Sequence, residues 1–295
     1  MSTSQREAII ARLRAFPFDP NQTVDEHRRG FDEFAIEPVP AGVAVEDVRL
    51  GGRPALRLTP EGAGTGTLLY LHGGGYVVGS HRTGAKLARL VAERAGLQAY
   101  SLDYRLAPEH PFPAAVDDSL AAYRELIERG IDPAALVVAG DSAGGGLTIS
   151  TLVAARDAGL PMPAAAVVFS PLTDQTHSGR SIHDLVGIDP LFTPEALDWY
   201  GPKYVGSADP ATPLASPLFA DLTGLPPLLI QVGGHEILLD DSIGLARAAA
   251  LVDVEVSLEI GAGLPHVFQN RAGELDEADA ALDRVGAFIR TQLGA

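Results

Sequence analysis

The 295-residue sequence predicts an α/β fold on a mostly parallel, eight-stranded sheet flanked by helices, with a small helical cap. Three observations carry this expectation. From residue 67 onward, short runs rich in valine, leucine and isoleucine alternate with helical patterns, the rhythm of right-handed strand–helix–strand crossovers. The composition, 46% hydrophobic and 20% charged, supplies a sizeable core for one large domain with an appendage. The stretch "VVAGDSAGGGLT", residues 137–148, takes an apolar strand through glycines directly into a helical pattern.

Residues 1–40 read as an N-terminal cap segment of two short helices, broken up by Pro17, Pro20, Pro38 and Pro40. Ser4 with Glu7, and Thr23 with Glu26, have the spacing of capping boxes. The main domain, 41–295, opens with apolar runs at 43–50 and 54–59 set close around "GGRP", which predicts an antiparallel hairpin. Further strands are expected at 67–71, 97–103, 135–140, 164–170, 227–233 and 253–260, and helices at 82–95, 113–130, 143–158, 241–252 and 274–292. Over about 175–222 the rhythm breaks. That stretch holds Trp199, Tyr200, Tyr204 and many prolines, and it reads as a cap insertion over one end of the sheet.

A formal charge of −16 argues against nucleic acid or an anionic membrane as the main partner. The chain has no cysteine, which excludes disulfides and thiolate sites. No two histidines or carboxylates repeat at metal-ligand spacing, so no metal is expected. The start lacks a signal-peptide pattern, and no stretch approaches the roughly 18 uninterrupted apolar residues of a membrane span. A cytoplasmic protein without stable membrane anchoring is the resulting expectation.

In open parallel sheets ligands bind beyond the carboxyl ends of the strands, so the strand-ending loops should hold the chemistry. Gly140-Asp141-Ser142-Ala143-Gly144 fits G-x-S-x-G, a sharp strand-to-helix turn that lifts a serine hydroxyl above the sheet. A serine hydroxyl needs a base to take its proton. Where such an elbow carries a nucleophile, its partners follow in the order serine, carboxylate, histidine. His266, in the loop after the last strand, leaves room for a carboxylate-bearing strand end after Ser142; His235, His72, His110, His177 and His183 do not fit as well. Glu236, Asp240 and Asp241 are the candidate acids. Glu236 is the choice because it follows directly on the strand end at Gly233-Gly234, and Asp240 is the reserve; Asp240 and Asp241 suit the N-cap of the next helix. Gly73-Gly74-Gly75 and the amide of Ala143 can supply the N–H donors that a tetrahedral oxyanion needs. The glycine run lacks the Gly-Lys-Ser/Thr ending of a phosphate-binding P-loop.

With these loops assembled, the sequence resembles the hormone-sensitive-lipase-like carboxylesterases of the α/β-hydrolase fold, in the subgroup whose elbow reads GDSAG. "HGGGY" at 72–76, "DYRLAPEHPFPAAVDD" at 103–118, "GDSAGG" at 140–145, "SPLTD" at 170–174 and "PHVF" at 265–268 fall in that family's order. The resemblance implies Ser142 as nucleophile, His266 as base, and Gly73, Gly74, Gly75 and Ala143 amides as oxyanion hole. It further implies a cap over an acyl pocket, no cofactor, and often a homodimer formed through the edge strand near 253–260. The family's acid is usually an aspartate in Asp-Pro-Leu, whereas this chain has Glu236-Ile237-Leu238.

The activity thus expected is hydrolysis of short- to medium-chain acyl esters, small molecules, through an acyl-enzyme and a Ser-His-Glu triad. Amides, lactones or thioesters could be cut by the same triad, because pocket shape selects the substrate. A non-catalytic receptor on this fold typically lacks the histidine, which is present here. Arg105 and Glu109 are expected to form a structural ion pair bracing the oxyanion loop. Trp199, Tyr200 and Tyr204 either line an acyl tunnel or form the core of the cap.

Overall fold

The computed structural model describes residues 3–15 and 17–294. Met1, Ser2 and Phe16 of the expected cap segment 1–40, and the terminal Ala295, lie outside the described residues. One sheet holds β1 (Val43–Leu50), β2 (Arg53–Pro60), β3 (Thr67–Leu71), β4 (Gln98–Leu102), β5 (Leu136–Asp141), β6 (Ala165–Phe169), β7 (Leu228–Gly233) and β8 (Val256–Gly261). Their order across it is β1-β2-β4-β3-β5-β6-β7-β8. β1 and β2 form the expected hairpin, pairing Leu50 with Arg53 across Gly51 and Gly52, whose φ of 59° and 74° suit a two-residue turn. β2 is antiparallel to β4, and every pairing from β3 to β8 is parallel.

Parallel strands covered on both faces must be apolar throughout. β6 meets that condition, and β3, β5 and β7 depart from it only at Thr67, Asp141 and Gln231. Leu69, Leu71, Val138, Val168 and Ile230 face α4 (Ala114–Glu128), α5 (Ala143–Asp157) and α8 (Leu239–Ala250). Their alternate neighbours Leu68, Tyr70, Val137, Ala139, Val167 and Leu229 pack under α3 (Ala85–Ala95) and α9 (Asp276–Gln292). The two stretches expected to form a cap hold α1 (Thr3–Arg14) and α2 (Val24–Ala35) in the N-terminal segment, and α6 (Ser181–Asp184) and α7 (Pro194–Val205) in the expected insertion. No described helix is long and apolar enough to cross a membrane.

Local expectations differ in outcome. Thr23 and Glu26 form the reciprocal capping box of α2. Ser4 and Glu7 do not cap α1, because that helix already includes Thr3 and so places both residues inside it. β8 opens at Val256 rather than 253: Asp253, at φ 60°, and the Val254 N–H to Ala249 O bond close the preceding helix first. α8 opens at Leu239, so Asp240 and Asp241 lie in its first turn and leave the N-cap to Leu238.

The expected Arg105–Glu109 pair is replaced by two longer-range pairs. Arg105 grips the buried Asp118 of α4 with bonds of 2.8–3.0 Å. Glu109 instead receives both guanidinium arms of Arg28, at 2.8 and 2.7 Å. Arg28 also donates to the carbonyls of Val77 and Ala107, so α2 clamps the segment that follows the glycine loop. Arg28→Met leaves both carbonyls without that donor and is expected to cost about 1–3 kcal/mol in urea unfolding. Glu109→Gln removes only a half-exposed partner and is expected to cost less.

Candidate active site

Ser142 sits at φ 53°, ψ −122°, between the end of β5 and the start of α5. A non-glycine residue in this region is strained and is held there by its surroundings. Its N–H donates to Phe169 O at 2.8 Å, and its carbonyl accepts from Gly146 and Leu172. The flanking glycines are required by close packing: a Cβ on Gly140 would lie 2.3 Å from Gly144 O, and one on Gly144 would lie 2.0 Å from Leu71 O. The turn therefore folds back onto itself and onto β3, leaving the serine hydroxyl as the polar group at its tip.

Beside it, the loop after β3 runs through Gly74 at φ 117°, Gly75 at 58° and Tyr76 at 62°. The Gly73 amide donates to Asp141 Oδ1 at 3.1 Å, an oxygen that also receives the Tyr70 hydroxyl at 2.6 Å. Gly73 is thereby corrected as a source of an oxyanion-binding N–H: its hydrogen is already committed. The amides of Gly74, Gly75 and Ala143 have no acceptor among the described residues. His72, a rival base, is stacked on Tyr104 at 4.2 Å with Nδ1 bonded to Gly73 O, and burial drives its pKa down to about 4. It is a locked neutral ring.

Glu236 and His266 meet above the ends of β7 and β8. Glu236 is fully buried; Oε1 accepts from His266 Nδ1 at 3.3 Å, the long end of a hydrogen bond. Oε2 accepts from the Ser170 hydroxyl at 2.7 Å and the Gly233 amide at 3.0 Å. Ser170, at φ 46° just past β6, uses the same hydroxyl oxygen to accept the Val267 N–H at 3.0 Å. One side chain thus ties the Glu236 carboxylate to the backbone next to His266. Gly233 must lack a side chain, since a Cβ there would lie 2.3 Å from Leu264 O.

His266 Nε2 is buried without a partner among the described residues. Burial pulls the imidazole pKa down, but the Glu236 carboxylate, with Asp189 and Asp141 behind it, outweighs that and leaves it raised. Phe192, from the insertion, stands edge-on to the ring at 4.8 Å and 87°. The reserve acid Asp240 binds the Ser181 amide at 2.9 Å, and Asp241 accepts from the Thr173 and Asp174 amides. Asp240 thus anchors the insertion, and Asp241 the residues just ahead of it. Burial lifts Asp241 to about 7.

Of the aromatic residues in question, Tyr204 is core, stacked on Tyr76 at 3.6 Å. Trp199 and Tyr200 join Phe18 and His27 in a half-buried cluster between the insertion and the N-terminal segment. Tyr200 crowds Gly75, where a Cβ would come within 2.7 Å of its ring.

Ser170 was invisible as a site residue in the sequence, where it is only the first letter of "SPLTD". The signal that distinguishes it is structural, a positive φ combined with two bonds from distant segments. The Glu236 contact is checked by NMR titration of His266. The imidazole is expected to titrate above the ordinary histidine value, and Glu236→Gln, which removes the largest favourable charge, is expected to lower its pKa.

Residues 68–270 match the family described as the α/β-hydrolase fold. An acetyl-hydrolase of Streptomyces hygroscopicus is 41% identical over 278 residues, covering 93% of this chain and 92% of its own. An esterase from the bacterial hormone-sensitive lipase family, known as a crystal structure, superposes with a TM-score of 0.96 at 42% identity over the whole of both chains. A crystal structure of EstE5 soaked by p-nitrophenyl butyrate does so with a TM-score of 0.96 at 41% identity, again over both whole chains. By fold, by sequence and by the length over which both agree, the chain belongs to the α/β-hydrolase family.

Proposed function

We propose that this chain is a serine carboxylesterase that hydrolyses short- to medium-chain acyl esters through Ser142, His266 and Glu236. The observation that carries the reading is the histidine: Nδ1 is bonded to a buried carboxylate while Nε2 is unpartnered, in the loops at the sheet end where Ser142 is held on its strained elbow. Ester hydrolysis is also the activity named for the acetyl-hydrolase and the esterases that this chain resembles. In that role the Ser142 hydroxyl oxygen bonds to the ester carbonyl carbon as its proton passes to His266 Nε2. Negative charge gathers on the carbonyl oxygen, where the free amides of Gly74, Gly75 and Ala143 donate; each such donor is worth about 3–4 kcal/mol. The ester C–O bond then breaks, and the imidazolium gives its proton to the departing alkoxide. Water, deprotonated by the same nitrogen, attacks the acyl-serine, and the acid leaves as Ser142 regains its proton.

Glu236 fixes the tautomer that leaves Nε2 as acceptor and stabilises the imidazolium. Its longer side chain replaces the family's usual aspartate, and the bond to Ser170 holds that extra length in place. Short acyl chains suit a site with Phe192 edge-on to His266 and Tyr200 against Gly75. A homodimer joined through β8 fits the same reading, since β8 is the last strand of the sheet and exposes Ile260.

The test is a series of p-nitrophenyl esters from two to sixteen acyl carbons, with Ser142→Ala alongside. Rates are expected to peak at the short end and fall by about a millionfold in the folded variant. Turnover surviving in Ser142→Ala sinks the mechanism, and a peak at long chains sinks the acyl-length assignment. Because the base works as neutral imidazole and its pKa is raised, the acid limb of kcat/KM is expected above the ordinary histidine range.

A further inference from the structure

Asp189 belongs to the insertion and is only 7% exposed. One oxygen, Oδ1, accepts from the amides of Leu191 and Phe192 at 2.8 and 3.0 Å, a local turn that an asparagine could also make. The other, Oδ2, accepts from the amide of Ile237 at 2.8 Å, and Ile237 is the residue after Glu236. Both oxygens are therefore used as acceptors, which only a carboxylate allows. It makes no ion pair in contact among the described residues, and the one cationic group that acts on it is the His266 ring. A buried charge held only by amides is costly, and burial raises its carboxyl pKa above the ordinary aspartate range. Its two arms end at the two flanks of His266: Phe192, whose ring stands against the imidazole, and the loop carrying Glu236.

We propose that Asp189 is a positioning residue for the hydrolytic reaction, holding Phe192 and the Glu236 loop in register on either side of His266 while adding its negative charge to the base. The inference rests on the triad reading above. It also makes the insertion part of the proton-transfer apparatus, not merely a lid over the acyl chain. The charged groups that act on His266 are Glu236, then Asp189 and Asp141, so removing the second should be felt at the ring even with the first in place.

The experiment compares wild type, Asp189→Asn and Asp189→Ala on a short p-nitrophenyl ester across pH, with stoichiometric organophosphate labelling of each. Asp189→Asn keeps the local turn but cannot accept from Ile237 and carries no charge. Its kcat is expected to fall about tenfold to a hundredfold with KM little changed. The acid limb of its kcat/KM profile is expected to move to lower pH, since the base loses a neighbouring negative charge. Folded Asp189→Asn with an unmoved acid limb overturns the proposal, whatever its kcat, and leaves Asp189 a turn-forming residue. Asp189→Ala, which also breaks the turn, is expected to lose more activity than Asp189→Asn; equal losses in both would contradict the role given to the Phe192 arm. Failure of wild type to take up one label at Ser142 would instead refute the triad reading itself.

Discussion

A carboxylate without exposed surface must be compensated by hydrogen bonds, and compensating Glu236 organises the rest of the site. Its two oxygens take a serine hydroxyl, a backbone amide and the imidazole. Each of those donors belongs to a different strand end. Ser170 follows β6, Gly233 closes β7 and His266 lies in the loop after β8. The carboxylate is thus the point at which neighbouring loops are fixed relative to one another. The sheet beneath supplies the rigidity, because β6, β7 and β8 are parallel neighbours with a fixed register. Ser170 must adopt a positive φ to reach both Glu236 and Val267, a local strain repaid by two buried bonds.

The elbow around Ser142 obeys the same economy of space from the other side. Gly140 and Gly144 let the turn close onto β3, and Gly73 lets the neighbouring loop lie against Asp141, where a Cβ would sit 2.3 Å from Oδ2. Asp141, the second letter of the elbow, is spent on holding that loop through the Gly73 amide and the Tyr70 hydroxyl. Committing Gly73 inward is what leaves the following amides, Gly74 and Gly75, without protein acceptors. From α2, Arg28 fixes the Val77 carbonyl just beyond them, and the Ala107 carbonyl, so the N-terminal segment contributes to the stiffness of a loop far from it in sequence.

The inner parallel strands were legible because strands buried on both faces are short, largely apolar runs, and the β1–β2 hairpin because its two runs flank Gly51-Gly52; all eight strands appear close to their expected places. The boundaries that slipped did so where one residue's backbone decided the matter, as Asp253 does before β8. In the candidate site, the glycine spacing singled out Ser142 and the strand end singled out Glu236 as candidates, since both are local features, and the fold bonds Glu236 to His266. Ser170 and Asp189 left no such trace, because the bonds that tie each to the His266 region include backbone amides 97 and 48 residues away. The same holds for charge pairs. Four residues apart, Arg105 and Glu109 suggested each other, yet the fold gives them Asp118 and Arg28. Asp240 and Asp241 looked like helix caps, but α8 begins before them and their carboxylates turn to amides in and just ahead of the insertion.

The central claim is that Ser142 is the single nucleophile of an ester hydrolase. Its most direct test is intact-mass analysis and peptide mapping after treatment with an organophosphate, with residual esterase activity followed in parallel. One adduct per chain is expected, located on Ser142, with activity lost in proportion to labelling and no adduct in Ser142→Ala. Inactivation with the adduct on another residue, or full activity with Ser142 labelled, would contradict it.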